Sequence, residues 1–559
     1  MAKQSKLILA ILFSFLLIRC ANQMGPGGGD VDRIPPQIIE VYPQNGTTNF
    51  NENYFEITFS EWVEKRSVQD AIFISPPIQN GLEYDWSGKS LSVYFKDSLK
   101  SNTTYTITIG AEVEDLNNRN KMAEPVTFAF STGTKIDTGK ISGKIYGNDP
   151  GGTMVFAYSA NDSIPNPAKQ KPDYISQVGK NGKYTLLGLS SGNYDVYAFR
   201  DKFRDFIYQS NDDEYGVQSR DLNLSDSVKE ITDVNFFLSL EDTISPKMSN
   251  VYMRDRNHFL IEFSEPIDTT KILASNFYLY DSTLSKTIPA KYFYKGNAKE
   301  NQYYLSIADS LIPGNNIYLH GSGIFDRNSN RSNKESNAIT VKNDRDTTAP
   351  KLLKIGGLMP DDKVDFELPV ISVKFDDGFA MDSLRNAIVI SDVKNIEYPF
   401  EILRRDDSWF EVNIKSKLKP RTEYVMNFDL KYVADAAGNK VDSVYKYKFS
   451  TVNDLDFSGV SGGVENINGA KKTFIVLQNV DDAKKVYKEK VDSKNNFNIQ
   501  KVLPGKYLLW SFKDKNGNNV YDYGKVVPLT YSEEFIFYPD TLNLRARWPV
   551  GDVKIKFNK

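Results

Sequence analysis

The residues with the clearest chemical potential lie near the end of the chain, in Asp514-Lys515-Asn516-Gly517-Asn518-Asn519-Val520-Tyr521-Asp522. Asp514, Asn516 and Asn518 alternate, the Val520 carbonyl comes next, and Asp522 closes the run. Hard oxygen donors at that spacing can wrap one Ca²⁺ in a tight turn. Glycine stands fourth rather than sixth, and Lys525 holds the twelfth position where such loops carry Glu. The same residues also suit an Asn/Gly hairpin tip, because they tolerate positive φ. Both readings stay open. A sister loop starts at Asp201 but places Phe203 where Asn516 would be, so no metal is expected there.

Other chemistry is sparse. The two histidines, His258 and His320, lie in no nucleophile motif, so a Ser-His-Asp arrangement is not suggested. Ligands for a His/Cys zinc site are too few. Carboxylate pairs are abundant, but none is identified as spanning a cleft in the way glycoside hydrolysis requires. The tryptophans, Trp62, Trp86, Trp409, Trp510 and Trp548, do not recur at equivalent places and mark no sugar platform. We expect no catalytic activity and no catalytic residues, and no bound cofactor beyond the candidate Ca²⁺.

The elements that carry these residues are strands. Tyr54-Phe55-Glu56-Ile57-Thr58-Phe59 and Ser90-Leu91-Ser92-Val93-Tyr94-Phe95 alternate with the period of a half-buried strand, and turn clusters such as Pro43-Gln44-Asn45-Gly46 separate them. Long helical patterns are missing. The chain has 559 residues and 69 basic against 72 acidic side chains. That balance argues against nucleic-acid binding, which needs a basic face to neutralise phosphates. A single cysteine, Cys20, leaves no disulfide to form, so the domains depend on hydrophobic cores.

Internal repeats set the organisation. One unit occurs three times. It opens with Asp32-Arg33-Ile34-Pro35-Pro36, Asp242-Thr243-Ile244-Ser245-Pro246 and Asp346-Thr347-Thr348-Ala349-Pro350. Its second strand ends in Phe59-Ser60-Glu61, Phe263-Ser264-Glu265 and Phe375-Asp376-Asp377. Its last loop holds Asp115-Leu116-Asn117-Asn118, Asp326-Arg327-Asn328-Ser329 and Asp435-Ala436-Ala437-Gly438-Asn439. The first and third copies close with Phe130-Ser131-Thr132 and Phe449-Ser450-Thr451, an ending the second lacks near Ile339-Thr340-Val341. This unit resembles the bacterial Ig-like domain of the SbsA type. In such a sandwich the start, the end of the second strand and the last loop share one end, which gathers Asp32, Glu61 and Asp115 and their equivalents as a second candidate Ca²⁺ cluster. A different unit runs from Val178 to Asp201 and again, 313 residues on, from Val491 to Asp514. It resembles the transthyretin-like, carboxypeptidase-regulatory-like sandwich.

The N-terminus carries Lys3 and Lys6, then the apolar run Leu7 to Ile18 and Arg19-Cys20. The run is shorter than the about 20 residues a membrane-spanning helix needs and reads as a secretory signal. Leu17-Ile18-Arg19-Cys20 resembles a bacterial lipobox, with Arg19 where that family has a small residue. The resemblance implies lipidation of Cys20. The expected order is a signal peptide at 1–19, the lipidated cysteine and tether at 20–32, an Ig-like domain at 33–134, a transthyretin-like domain at 137–241, Ig-like domains at 242–345 (degenerate) and 346–452, and a second transthyretin-like domain at 455–559. The fold class is all-β: tandem Ig-like and transthyretin-like β-sandwiches, expected to form a jointed rod. Asp followed by Ser or Thr and an aliphatic residue, as in Asp97-Ser98-Leu99 and Asp309-Ser310-Leu311, resembles the O-glycosylation acceptor of Bacteroidota. Together these features imply an outer-membrane lipoprotein of the cell envelope, facing the surface or the periplasm. It would be held to the membrane by its anchor and act as spacer, scaffold or adhesion module toward an envelope protein or a glycan. A glycan-binding accessory lipoprotein is the alternative, and an enzyme with an inter-domain site the third.

Overall fold

The computed structural model describes residues 31–558 except 79, 148 and 161–163, so Cys20 and the signal segment lie outside the described residues. The chain is 45% strand and 5% helix, the all-β architecture expected from the alternating runs. It divides into two compact units, one formed by residues up to 207 with 220–238, the other by 208–219 with 239 onward.

The first unit begins with a seven-stranded sandwich: β1 (Ile38–Tyr42), β2 (Tyr54–Phe59), β3 (Ile72–Ser75), β4 (Leu82–Ser87), β5 (Ser90–Phe95), β6 (Thr104–Ile109) and β7 (Val126–Ser131). One sheet has the order β1-β2-β5-β4 and the other β3-β6-β7. Pairing of β2 with β5 sets Phe55 opposite Val93 and Ile57 opposite Leu91. Odd positions of β2 therefore face the core with Phe59, Ile107, Phe128 and Phe130, while even positions face out, as period-2 alternation requires. The core is rich in aromatic rings, with Phe50 and Phe130 centroids 4.5 Å apart.

Strand β6 departs from alternation, because all six of its residues are buried. Its threonines face away from the core yet are covered by a second sandwich of the same unit. Thr106 Oγ1 donates to the Leu187 carbonyl at 2.9 Å, and Thr104 Oγ1 accepts from the Asp137 amide at 2.8 Å. Thr suits such a position: it is β-branched for the strand and brings a hydroxyl that satisfies a buried partner. In the covering sandwich Met154–Ser159 pairs with Tyr174–Gln177 and Gly192–Arg200, against a sheet of Lys183–Leu189, Gly139–Tyr146 and Glu230–Ile231. Tyr158, Tyr197 and Phe236 are among its buried side chains.

The second unit repeats the first sandwich twice. Strands Met248–Met253, His258–Phe263, Gln302–Ser306 and Tyr292–Tyr294 are ordered as β1-β2-β5-β4 are, and so are Leu352–Gly357, Val370–Phe375, Trp409–Ile414 and Phe400–Arg404. The Phe-Ser-Thr ending has a structural meaning. Thr132 Oγ1 accepts from the Thr103 amide at 3.0 Å and donates to the Lys100 carbonyl at 2.7 Å; Thr451 does the same with Thr422 and Lys419 at 3.0 and 2.6 Å. The threonine closes the turn before the sixth strand. The second copy has neither this threonine nor the tyrosine (Tyr105, Tyr424) that accepts an amide of the same turn. A final sandwich completes the unit, with sheets built on Ser458–Glu465 and on Lys472–Asn479 with Gly505–Asp514. Residues 208–219 are grouped with this second unit, where Ser532 Oγ donates to the Val217 carbonyl at 2.8 Å.

Candidate metal centre

Asp514 ends the strand Gly505–Asp514 and is fully buried. Its carboxylate accepts from the amides of Gly517 and Asn519 at 2.5 and 3.0 Å. In the sister loop Asp201 accepts from the amides of Arg204 and Phe206 at 2.6 and 2.8 Å, the same offsets of three and five residues. The first aspartate thus shapes the turn in both copies. Asn516 and Asn518 turn their Nδ2 groups onto Asp522 at 2.6 and 3.1 Å, while their Oδ1 atoms accept from the amides of Asn518 and Val520. Lysines supply the remaining charge: Lys471 Nζ reaches the Asn516 carbonyl at 3.1 Å and Lys488 Nζ the Asn519 carbonyl at 2.6 Å. The loop also recruits Glu533, unmarked in the sequence, whose carboxylate accepts from the amide of Lys515 at 2.7 Å. Burial, with repulsion from Asp522 and Asp514, raises the Glu533 carboxyl above its usual range. The side chains of Asp514, Asn516, Asn518 and Asp522 are already engaged by hydrogen bonds within the loop.

The repeated cluster at the start of each Ig-like copy is more uniform. Asp32, Asp242 and Asp346 each fold back to accept the amide two residues on, at 2.9, 3.1 and 3.0 Å. The last-loop aspartates, Asp115, Asp326 and Asp435, are almost fully buried. An asparagine joins the two. Asn120 Nδ2 donates to Asp115 at 2.7 Å and to the Asp32 carbonyl at 3.0 Å; Asn330 Nδ2 donates to Asp326 at 2.8 Å and to the Asp242 carbonyl at 2.9 Å. Asn439 Nδ2 donates to Asp435 at 2.9 Å and to Asp346 Oδ2 at 3.1 Å. This asparagine latch pins the first residue of each copy to its last loop. Beside it, Glu61 is raised by burial and by Asp32 and Asp115, and Glu265 by burial and by Asp242 and Asp326. The expected gathering of Asp32, Glu61 and Asp115 is present. The asparagines were not singled out in the sequence, although Asn439 sits four residues after Asp435 as Asn330 does after Asp326.

In the third copy a histidine joins the cluster. His258 opens its strand after the turn Arg254-Asp255-Arg256-Asn257 of the second copy, and is 7% exposed. Asp255 accepts from the His258 amide at 3.0 Å and holds Nδ1 at 2.9 Å. Nε2 is buried without a hydrogen-bond partner, 3.4 Å from Asp377 Oδ1. Asp346 Oδ2 lies 4.0 Å from Nδ1. Burial works to lower the imidazole pKa, but Asp255 and Asp377 outweigh it and raise the value to about 10. Asp435 is raised by burial and by the charges of Asp346 and Asp377, and Asp376 by burial and by Asp377. His258, Asp255, Asp346, Asp376 and Asp377 line a cleft of about 320 Å³. It is a carboxylate-lined recess of the sort an enzyme reading requires, yet its hydroxyls are committed: Tyr294 OH donates to Asp377 at 2.6 Å and Thr348 Oγ1 to Asp346 at 2.9 Å. Burial pushes the Tyr294 phenol further up, away from use as a nucleophile. The sequence named His258 but could not pair it with Asp346 and Asp377, which lie in the next repeat.

The repeated strand order, with the latch in each copy, makes these tandem Ig-like β-sandwiches. Residues 32–132 and 346–451 match the family described as the bacterial Ig-like domain. Among solved structures the chain is similar to the N-terminal part of the bacterial S-layer protein SbsC (14% identity, 38% of this chain and 45% of that one, TM-score 0.17). It is also similar to a tetra-tandem repeat in the extending region of a large adhesion protein (12%, 79% and 97%, 0.14) and to BcpA, the major pilin subunit of Bacillus cereus (11%, 75% and 99%, 0.14). The chain thus spans less than half of the SbsC N-terminal part. No curated protein sequence matches it.

Proposed function

We propose that this is a non-catalytic, lipid-anchored protein of the cell envelope that serves as a spacer, scaffold or adhesion module. The observation that carries the reading is how consecutive sandwiches are joined within each unit. Thr106 binds Leu187, Tyr294 binds Asp377, and Lys501 Nζ binds Asp365 at 2.9 Å and Glu367 at 2.6 Å. Junctions closed by partly buried polar contacts transmit position from one domain to the next, which suits a protein that holds something at a distance. The transthyretin-like assignment of the second and last sandwiches belongs to the same reading, as does an outer-membrane location. Surface modification fits it too: Ser98, Ser227, Thr243, Ser310, Ser443 and Thr541 of the Asp-Ser/Thr-aliphatic sites are exposed.

The test is metabolic labelling of cells with a fatty-acid analogue and then fractionation. The parent protein takes up label and partitions with the membrane, and Cys20→Ala does neither. Label in the Cys20→Ala protein would sink the anchor. Crosslinking and pull-down of the native protein then identifies what it holds.

A further inference from the structure

We propose that His258 Nε2 and the carboxylates of Asp346 and Asp377 form a binding site for one divalent transition-metal ion of the zinc class, between the second and third Ig-like copies. Three observations carry this independently of the envelope role. First, one ligand atom from each of the three residues lies within 4.8 Å of the others. Zinc bonds of about 2.0–2.2 Å to nitrogen and carboxylate oxygen reach such a group with a small inward closure. Second, Nε2 is buried without a hydrogen-bond partner and lies 3.4 Å from Asp377 Oδ1, while Asp255 grips Nδ1, which is 4.0 Å from Asp346 Oδ2. A carboxylate that fixes the tautomer and leaves the other nitrogen facing an acidic group is the usual support of a metal-bound histidine. Third, the surroundings hold more negative than positive charge. The recess is lined by Asp255, Asp346, Asp376 and Asp377 against Arg254 and Lys351 besides His258, and Arg254 donates to the Tyr304 hydroxyl at 2.7 Å. An ion of charge +2 offsets that excess of carboxylates.

The donor set selects the metal class. An imidazole nitrogen with two carboxylates suits zinc and its neighbours, whereas calcium takes six to eight oxygens. Asp242, Glu265 and Asp326, at the equivalent place in the second copy, also offer ligand atoms within 4.8 Å of one another, without a histidine. That group serves as an internal comparison. Binding at His258 would tie a residue of one sandwich to residues of the next and stiffen their junction.

The experiment uses the full chain, stripped with chelator and titrated with Zn²⁺ against a chromophoric competitor. The parent protein is expected to bind about one Zn²⁺ that His258→Gln does not, and Asp377→Asn to weaken it. Asp255→Asn is expected to lower affinity by about 10–100-fold, the effect of removing a positioning partner. His320→Gln leaves binding unchanged. Because the chain has two histidines, ¹⁵N-histidine spectra of the unmutated protein give a readout that needs no variant: Zn²⁺ shifts Nε2 of one histidine, the one lost in His258→Gln. Equal binding by parent and His258→Gln, no binding by the parent, or no shift of an imidazole nitrogen would each overturn the proposal. Full competition by Ca²⁺ at equal concentration would overturn the metal class.

Discussion

Substituting Asn330 with Ala tests whether the asparagine latch holds each Ig-like copy closed. Nδ2 of Asn330 makes two hydrogen bonds, one to the Asp326 carboxylate at 2.8 Å and one to the Asp242 carbonyl at 2.9 Å. Asp326 is 1% exposed, so water does not readily replace the lost donor. The backbone amide of Asn330, 2.7 Å from Asp326, survives the change. A hydrogen bond to a charged group is worth about 1.5–3 kcal/mol and one between neutral groups about 0.5–1.5 kcal/mol. Because the backbone donor remains, the expected loss is about 2–3 kcal/mol, near the sum of the lower values. For a domain of about 100 residues that lowers the midpoint by on the order of 10 °C where the domain melts as a unit. Thermal and denaturant unfolding of the full chain, with hydrogen exchange read over residues 242–341, measures it. Asn120→Ala and Asn439→Ala repeat the experiment in the other copies and are expected to fall in the same range. A loss below about 0.5 kcal/mol, the scale of ordinary surface changes, in all three would refute the claim that the latch stabilises the fold.

Lys501→Met should destabilise the third Ig-like copy against the last sandwich by about 1–3 kcal/mol, since it strips a buried carboxylate, Asp365, of its cationic partner; denaturant unfolding matching the parent would count against this. Gly378→Ala places a methyl group 2.6 Å from Tyr294 Cδ1 and 2.8 Å from Tyr292 Cβ. It should cost about 1–3 kcal/mol by overpacking, seen as faster exchange around 292–296. Two carboxyls of the first copy should titrate in opposite senses. Burial would raise Asp115, but amide donors from Asn118, Asn120 and Arg119 outweigh it and lower its pKa. Its contribution is therefore present above the unfolded carboxyl value and lost as pH falls through the folded one, and Asp115→Asn should flatten the acid limb of the melting-temperature curve. Glu61 is raised, so its folded carboxyl favours the proton and costs stability once pH rises past its pKa. Glu61→Gln should then melt higher than the parent at pH 7 and not at pH 3.

Much of the fold could be read along the chain, because its signals are local. Alternation in Tyr54–Phe59 placed Phe55, Ile57 and Phe59 in one core, and all three are fully buried. The repeated Asp, Glu and Asp positions brought Asp32, Glu61 and Asp115 to one end of the sandwich. The Phe-Ser-Thr ending was visible as a repeat, although its hydrogen bonds around the preceding turn were not. The 514–522 run was legible as a tight turn of oxygens, but Glu533 was hidden, since no periodicity links a loop to an acidic residue on a later segment.

By itself the sequence determined the strands, their inward faces and the repetition of one sandwich, because a strand's two-residue period and a turn's residue types are written into consecutive positions. Tertiary structure alone decided what lies against the outward faces. All six residues of Thr104–Ile109 are buried, because residues of the next sandwich cover the strand. His258 reads as an isolated histidine and meets Asp377 across a domain junction. Contacts of that kind depend on how whole domains dock, and docking is set by surfaces assembled from scattered residues, for which the chain carries no local pattern.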